Sequence, residues 1–241
     1  MKRITSVALA LICMTAYHPA QAQYFSGYSA SNLYGANAGI SLTMMNTMSE
    51  RNISANMIKD LAAKSAGGTK PAAASPAAGA SPLPAKPQQP LAKTDFKPAG
   101  PRKVAEEISA AVQDPLEHEK MVQICRQILS TVEATPGFRK NNLASAITLV
   151  LAVSQQVLTG QQLDDAQGQA LMRLINDDVV GSGAVAHWSN AQRTHAYDAL
   201  VITGGLIAGM AHNGAESGDT VMSEQARRMA REALANLKVK P

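Results

Sequence analysis

The sequence predicts an all-α protein, a compact bundle of five or six helices preceded by a Pro/Ala-rich linker and a short helical or disordered N-terminal segment. Three observations lead there. From Phe96 to Val239 apolar residues recur at three- and four-residue spacing, with no strand-like alternation. That stretch (96–239) has the length of one globular domain and contains no internal repeat. Ahead of it, Lys64 to Lys93 is almost entirely Ala, Pro, Gly, Ser, Lys and Gln, a composition that cannot build a core.

Within the bundle, each helix carries its own start and stop signals. A polar helix is expected over Arg102–Gln113, with Pro101 in its first turn. A second runs from Leu116 to about Ala134, turning Met121, Ile124, Cys125, Ile128, Leu129 and Val132 inward and ending near Pro136-Gly137. Asn141 or Asn142 caps a third, which Gly160 stops after Thr159. Its apolar residues point in nearly all directions, so it belongs at the centre. Asp164 and Gln167 open a fourth helix with a capping box. Leu171, Leu174, Ile175 and Val179 make its stripe, and Gly181-Ser182-Gly183 ends it. Ser189 and Gln192 repeat the pattern for a fifth helix to about His212, apolar all round between Leu200 and Met210. Gly204, Gly205 and Gly209 give this helix a flat surface for close approach. Asp219 or Thr220 starts the last, with Met222, Met229, Ala233 and Leu237 facing in.

Four segments precede the bundle. Residues 1–22 read as a secretory signal peptide: Lys2 and Arg3, an uncharged apolar run from Ile4 to Ala16, then Pro19 and the small residues Ala20 and Ala22 required for cleavage before Gln23. The location expected is therefore outside the cytoplasm, periplasmic or secreted. Cys13 follows Ile12 inside the apolar run, which rules against lipid modification there. Residues 23–39 are Gly/Ser-rich, with Tyr24, Phe25, Tyr28 and Tyr34 as candidate contacts for a protein partner. Residues 40–63 form a short Met-rich helical segment, Met44 and Met48 being further candidates, because methionine adapts to imperfect surfaces. Residues 64–95 form the linker, whose prolines favour extended polyproline II.

Loss of the leader removes two of the 22 basic side chains against 18 acidic ones, leaving a charge of about +2. Nothing in that balance favours nucleic acid. One cysteine then remains, so no internal disulfide forms, and Cys125 is expected buried and inert. The apolar run of the fifth helix is too short to cross a bilayer, so no transmembrane span is expected in the mature chain.

Motifs for chemistry are sparse. His118, His187, His195 and His212 have no metal-ligand spacing, no phosphate loop is present, and no metal or cofactor is expected. His195 and Asp198 share a helix face with Arg193 nearby, and form the one weak catalytic candidate; a surface ion pair explains the same residues. Trp188, just before the Ser189 cap, is expected to act as a hydrophobic staple, with Arg193 over its ring.

The segments FKPAGPR (Phe96–Arg102), GFRKNNLASAITLVLAVSQQVLTGQQL (Gly137–Leu163), YDALVITGGLIAGMA (Tyr197–Ala211) and ARRMAREALANL (Ala226–Leu237) resemble an uncharacterised family of exported bacterial all-helical proteins, a domain of unknown function. The resemblance implies a helical fold over Phe96 to Leu237 and brings no catalytic motif. The functional expectation is a noncatalytic interaction module of the cell envelope or secreted space. The alternatives are a hydrolase acting on a cell-wall or small-molecule substrate and a carrier of a small apolar ligand.

Overall fold

The computed structural model describes residues 88–183 and 185–237. The signal peptide with Ala20 and Ala22, the candidates Tyr24, Phe25, Tyr28, Tyr34, Met44 and Met48, and linker residues 64–87 lie outside the described residues. Among those described, six helices pack together and no strand occurs. They are α1 (Val104–Ser109), α2 (Pro115–Ala134), α3 (Leu143–Thr159), α4 (Asp165–Ser182), α5 (Asn190–Ser217) and α6 (Thr220–Asn236).

The helix starts follow from cap chemistry. Asn142, Asp164, Ser189 and Asp219 each accept a hydrogen bond from a backbone N–H in the first turn of α3, α4, α5 and α6, and the capping boxes at Asp164/Gln167 and Ser189/Gln192 are both complete. Asp114 does the same for α2, with Pro115 at the first helical position. Left-handed Gly160, Gly183 and Gly218 end α3, α4 and α5.

Two helices depart from their expected lengths. α1 is six residues, not Arg102–Gln113, because the chain must be extended at Asp114 ahead of Pro115. A turn closed by Val112 N–H on the Ser109 carbonyl (2.9 Å) makes that transition and buries Val112. α5 runs on to Ser217, past His212. Gly214 does not stop it: a Cβ there would lie 2.5 Å from Ser223 Oγ, so the glycine is required by the close contact with α6.

α3 is the central helix, touching α4, α5 and α6, while α5 also packs on α2 and α6. From Leu143 to Ser154 α3 is buried at ten positions, and Leu200 to Met210 of α5 is nearly continuous core. With few aromatics, helices approach closely over Gly204 and Gly205. A Cβ on Gly204 would sit 3.1 Å from Leu149 Cγ, and one on Gly205 only 2.2 Å from Ile128 Cγ2. The aromatics gather at one place: Phe96 packs edge-on to Tyr197 at 5.4 Å, with Phe138 6.4 Å from the same ring.

Residues 89–95, placed in the linker by composition, pack on the bundle. A 3-10 turn over Leu91–Thr94 buries Thr94 completely. Asn142 donates through Nδ2 to the Leu91 carbonyl (2.9 Å), Thr94 Oγ1 (2.8 Å) and Asp95 Oδ1 (2.7 Å), while its Oδ1 caps α3. Thr94 Oγ1 reaches Asn176 Oδ1 at 2.9 Å, Asn176 donates to the Gln89 carbonyl (3.0 Å), and Gln89 N–H donates to Asp177 (2.8 Å). This strap ties α3 to α4. It reads as linker because its bonds run to side chains about fifty and ninety residues away, beyond any local pattern.

Gly205→Ala should destabilise the bundle by about 1–3 kcal/mol through overpacking against Ile128. In a double-mutant cycle read by urea unfolding, adding Ile128→Ala should recover part of that loss, giving a combined cost below the sum of the two single changes.

Candidate functional site

Four charged side chains, Arg102, Arg126, Glu133 and Asp198, come together where α1, α2 and α5 meet. A cleft of about 300 Å³ opens there, lined by the apolar Ala105, Leu129 and Ile202 and the polar Arg102, Arg126, Ser130, Glu133 and Asp198. Asp198 is 1% exposed, deep in the apolar body of α5. It is answered by Arg102, just before α1, whose Nε and Nη2 donate to its two oxygens at 2.9 and 2.6 Å. Arg102 Nη2 also donates to Glu133 Oε1 of α2 at 2.8 Å. A planar guanidinium fits this task, since it binds one carboxylate with two parallel bonds and keeps an edge for another.

Burial pushes the Asp198 carboxyl above the usual carboxylate range; Arg102 pulls the other way, and Glu133 adds to the rise. Arg102 is held well above its ordinary value by Asp198. The rest of α1 is pinned in the same manner. Arg126 of α2 pairs with Glu106, His195 Nε2 of α5 meets Glu107 Oε2 at 2.7 Å, and His118 Nδ1 donates to the Ser109 carbonyl at 2.9 Å. These contacts hold a helix too short to persist alone.

The three catalytic candidates are thereby separated. His195 pairs with Glu107, Asp198 with Arg102, and Arg193 donates to the Val185 carbonyl (2.9 Å) rather than lying over Trp188. The ion pair weighed for Asp198 is buried at the carboxylate and open to solvent at its cation, Arg102. Ser130, the hydroxyl at the cleft edge, donates to the Gln127 carbonyl. The arrangement thus clamps α1 onto α2 and α5 and leaves His195 and Asp198 serving different partners. Sequence reasoning missed Arg102, Glu133 and Glu107. The one signal was a lone carboxylate, Asp198, inside an apolar run, which demands a buried cation from somewhere.

Cys125 is fully buried, as expected, and burial pushes its thiol up to about 12, so it stays protonated and unreactive. Among the described residues no cluster of three His, Cys, Asp or Glu could hold a metal ion, and no helix is long and apolar enough to cross a membrane.

The family described as "Family of unknown function (DUF6683)" matches residues 1–241. No curated protein and no solved structure matches the chain.

Because its folded pKa is raised, Asp198 favours the native state below about pH 4, and that contribution falls away as pH rises through the folded value. Arg102 offsets the loss at neutral pH. Arg102→Gln should therefore cost about 2–3 kcal/mol at pH 7, discounted for the partial exposure of Arg102, and clearly less below pH 4. Asp95 shifts the opposite way: held low first by its bond to Arg139, it stabilises above its ordinary value, and this is lost as pH falls. That pair is present in both proteins and cancels in the difference, which urea unfolding at the two pH values measures.

Proposed function

We propose that this chain, which belongs to the family of unknown function DUF6683, is an exported, noncatalytic interaction module whose helical bundle holds an N-terminal recognition segment. The observation that carries this reading is the strap. Residues 89–95 are fastened to α3 and α4 through Asn142, Asn176 and Asp177, so the stretch that joins the N-terminal segments to the bundle is held at a fixed point on α4. A free linker needs no such anchorage. A buried polar network of this kind costs desolvation, and it returns a single defined position for residues 89–95.

Upstream of the strap in sequence, the Pro/Ala-rich composition of 64–87 favours a spacer of about 3 Å per residue, and before it come the Met-rich and aromatic segments. Tyr24, Phe25, Tyr28 and Tyr34 supply amphipathic contact area, and Met44 and Met48 supply adaptable apolar contacts. Export is supported by the leader pattern ending at Ala20 and Ala22. The commitment of His195, Asp198 and Arg193 to separate partners supports the noncatalytic reading over the hydrolase.

Two measurements test this. N-terminal sequencing of the protein recovered from the envelope or the medium should begin at Gln23. In a crosslinking pull-down from the same fraction, deletion of residues 23–64 should abolish recovery of the partners captured by the full chain; unchanged recovery contradicts the proposal.

A further inference from the structure

A second concavity lies between the C-terminal end of α2, the body of α3 and the first turns of α4, with a volume of about 190 Å³. Val132, Phe138, Leu149, Ala152, Leu163 and Met172 give it an apolar lining, and Phe138, Leu149 and Met172 are only partly buried although they pack on the core. Its polar lining includes Gln169, Asp164 and two threonines. Thr135 and Thr148 donate their hydroxyl protons to carbonyls of α2 and α3, at 3.0 and 2.7 Å. Apolar contact is therefore what the groove chiefly offers. An apolar cavity of about 150 Å³ holds one benzene, so this one accepts the tips of about two aliphatic side chains.

The chain itself carries a segment of matching character. Ile53, Met57, Ile58 and Leu61 fall on one face at helical spacing, and Asn52 or Ser54 is placed to cap a helix there. An amphipathic helix docks in an apolar groove through a few such anchors.

The tether ends beside the groove. Gln89 N–H is held by Asp177 of α4 at 2.8 Å, and Met172 and Gly168, both in the groove lining, lie five and nine residues earlier on the same helix. At about 1.5 Å per residue they are about 7 and 14 Å back along α4. A coil of the 27 residues from 62 to 88 averages about 30 Å end to end, more than that gap. Such a tether gives an effective concentration on the order of millimolar, so weak apolar contacts are filled from within the chain before a free partner competes.

Charge points the same way. Residues 23–87 carry Arg51, Lys59, Lys64, Lys70 and Lys86 against Glu50 and Asp60. The helix α4 carries Asp165, Asp177 and Asp178 against Arg173, with Asp164 at its cap. A basic segment is drawn to an acidic helix.

We propose that residues 52–61 dock as a helix in this groove, with Met57 and Leu61 seated among Phe138, Leu149 and Met172. Tyr24 to Met48 stay available to the partner proposed above. The docking itself needs no partner, so its test and the test of the interaction module fail separately.

A nitroxide on Asp60→Cys, in a full chain that also carries Cys13→Ser, tests this by paramagnetic broadening of amide resonances. Cys125 is fully buried and takes no label. The amides of Phe138, Thr148, Gly168 and Gln169 should lose at least about half their intensity relative to the reduced label, since a segment tethered at about millimolar concentration is docked most of the time. Those of Arg228 and Arg231, exposed on α6, should keep theirs. Adding Met57→Asp and Leu61→Asp, which changes no residue of the bundle, should restore the groove amides. Equal broadening at the groove and on α6, or groove broadening that survives the two added substitutions, would overturn the proposal. So would broadening carried from labelled chains to separate isotope-enriched ones, which assigns the groove to a second copy.

Discussion

One side-chain amide does two jobs on which the remaining organisation depends. The Oδ1 of Asn142 caps α3, the helix that α4, α5 and α6 all touch, and its Nδ2 holds the strap at Leu91, Thr94 and Asp95. Asn142 is fully buried, so neither end can turn to water if its partner is lost. The same residue thus sets where the central helix begins and where the upstream chain is fastened. Thr94 and Asn176 carry the tie onward to α4.

Around that point, the core and the charged cleft solve different problems. The core has few aromatics and gains density by close backbone approach, which Gly204, Gly205 and Gly214 permit. The cleft instead holds a short helix that cannot stand alone. α1 buries Val104, Ala105 and Ser109, and polar contacts add to its hold on the bundle: ion pairs of Glu106, Glu107 and the preceding Arg102, and the hydrogen bond from His118 to the Ser109 carbonyl. A charge as deep as Asp198 is tolerated because a guanidinium reaches it with two bonds while keeping its own outer edge in solvent.

What was legible in the sequence was local. Caps at Asn142, Asp164, Ser189 and Asp219 declare themselves within four residues, and the apolar stripes of α2, α4 and α6 follow from helical period, except that Leu174 of the expected α4 stripe is exposed. The all-helical class followed directly. What could not be read was pairing across long separations. Arg102 and Asp198 are 96 residues apart, His195 and Glu107 are 88 apart, and Asn176 meets the strap 87 residues upstream of it. α5 runs past His212 through Gly214, a glycine whose place is set by its tertiary contact with Ser223 and not by any local pattern. His195 and Asp198 share a helix face, but each is drawn to a different neighbouring element.

The central claim is that residues 89–95 are a fixed strap on the bundle rather than part of a free linker. Native-state hydrogen exchange on the full chain and on Asn142→Ser tests it directly, because serine keeps the α3 cap and removes the amide that donates to the strap. The account predicts that the Gln89, Asp95 and Phe96 amides are protected in the native protein, and that in Asn142→Ser this protection collapses while α3 stays protected. Exchange of those amides at free-chain rates in the unsubstituted protein would contradict it.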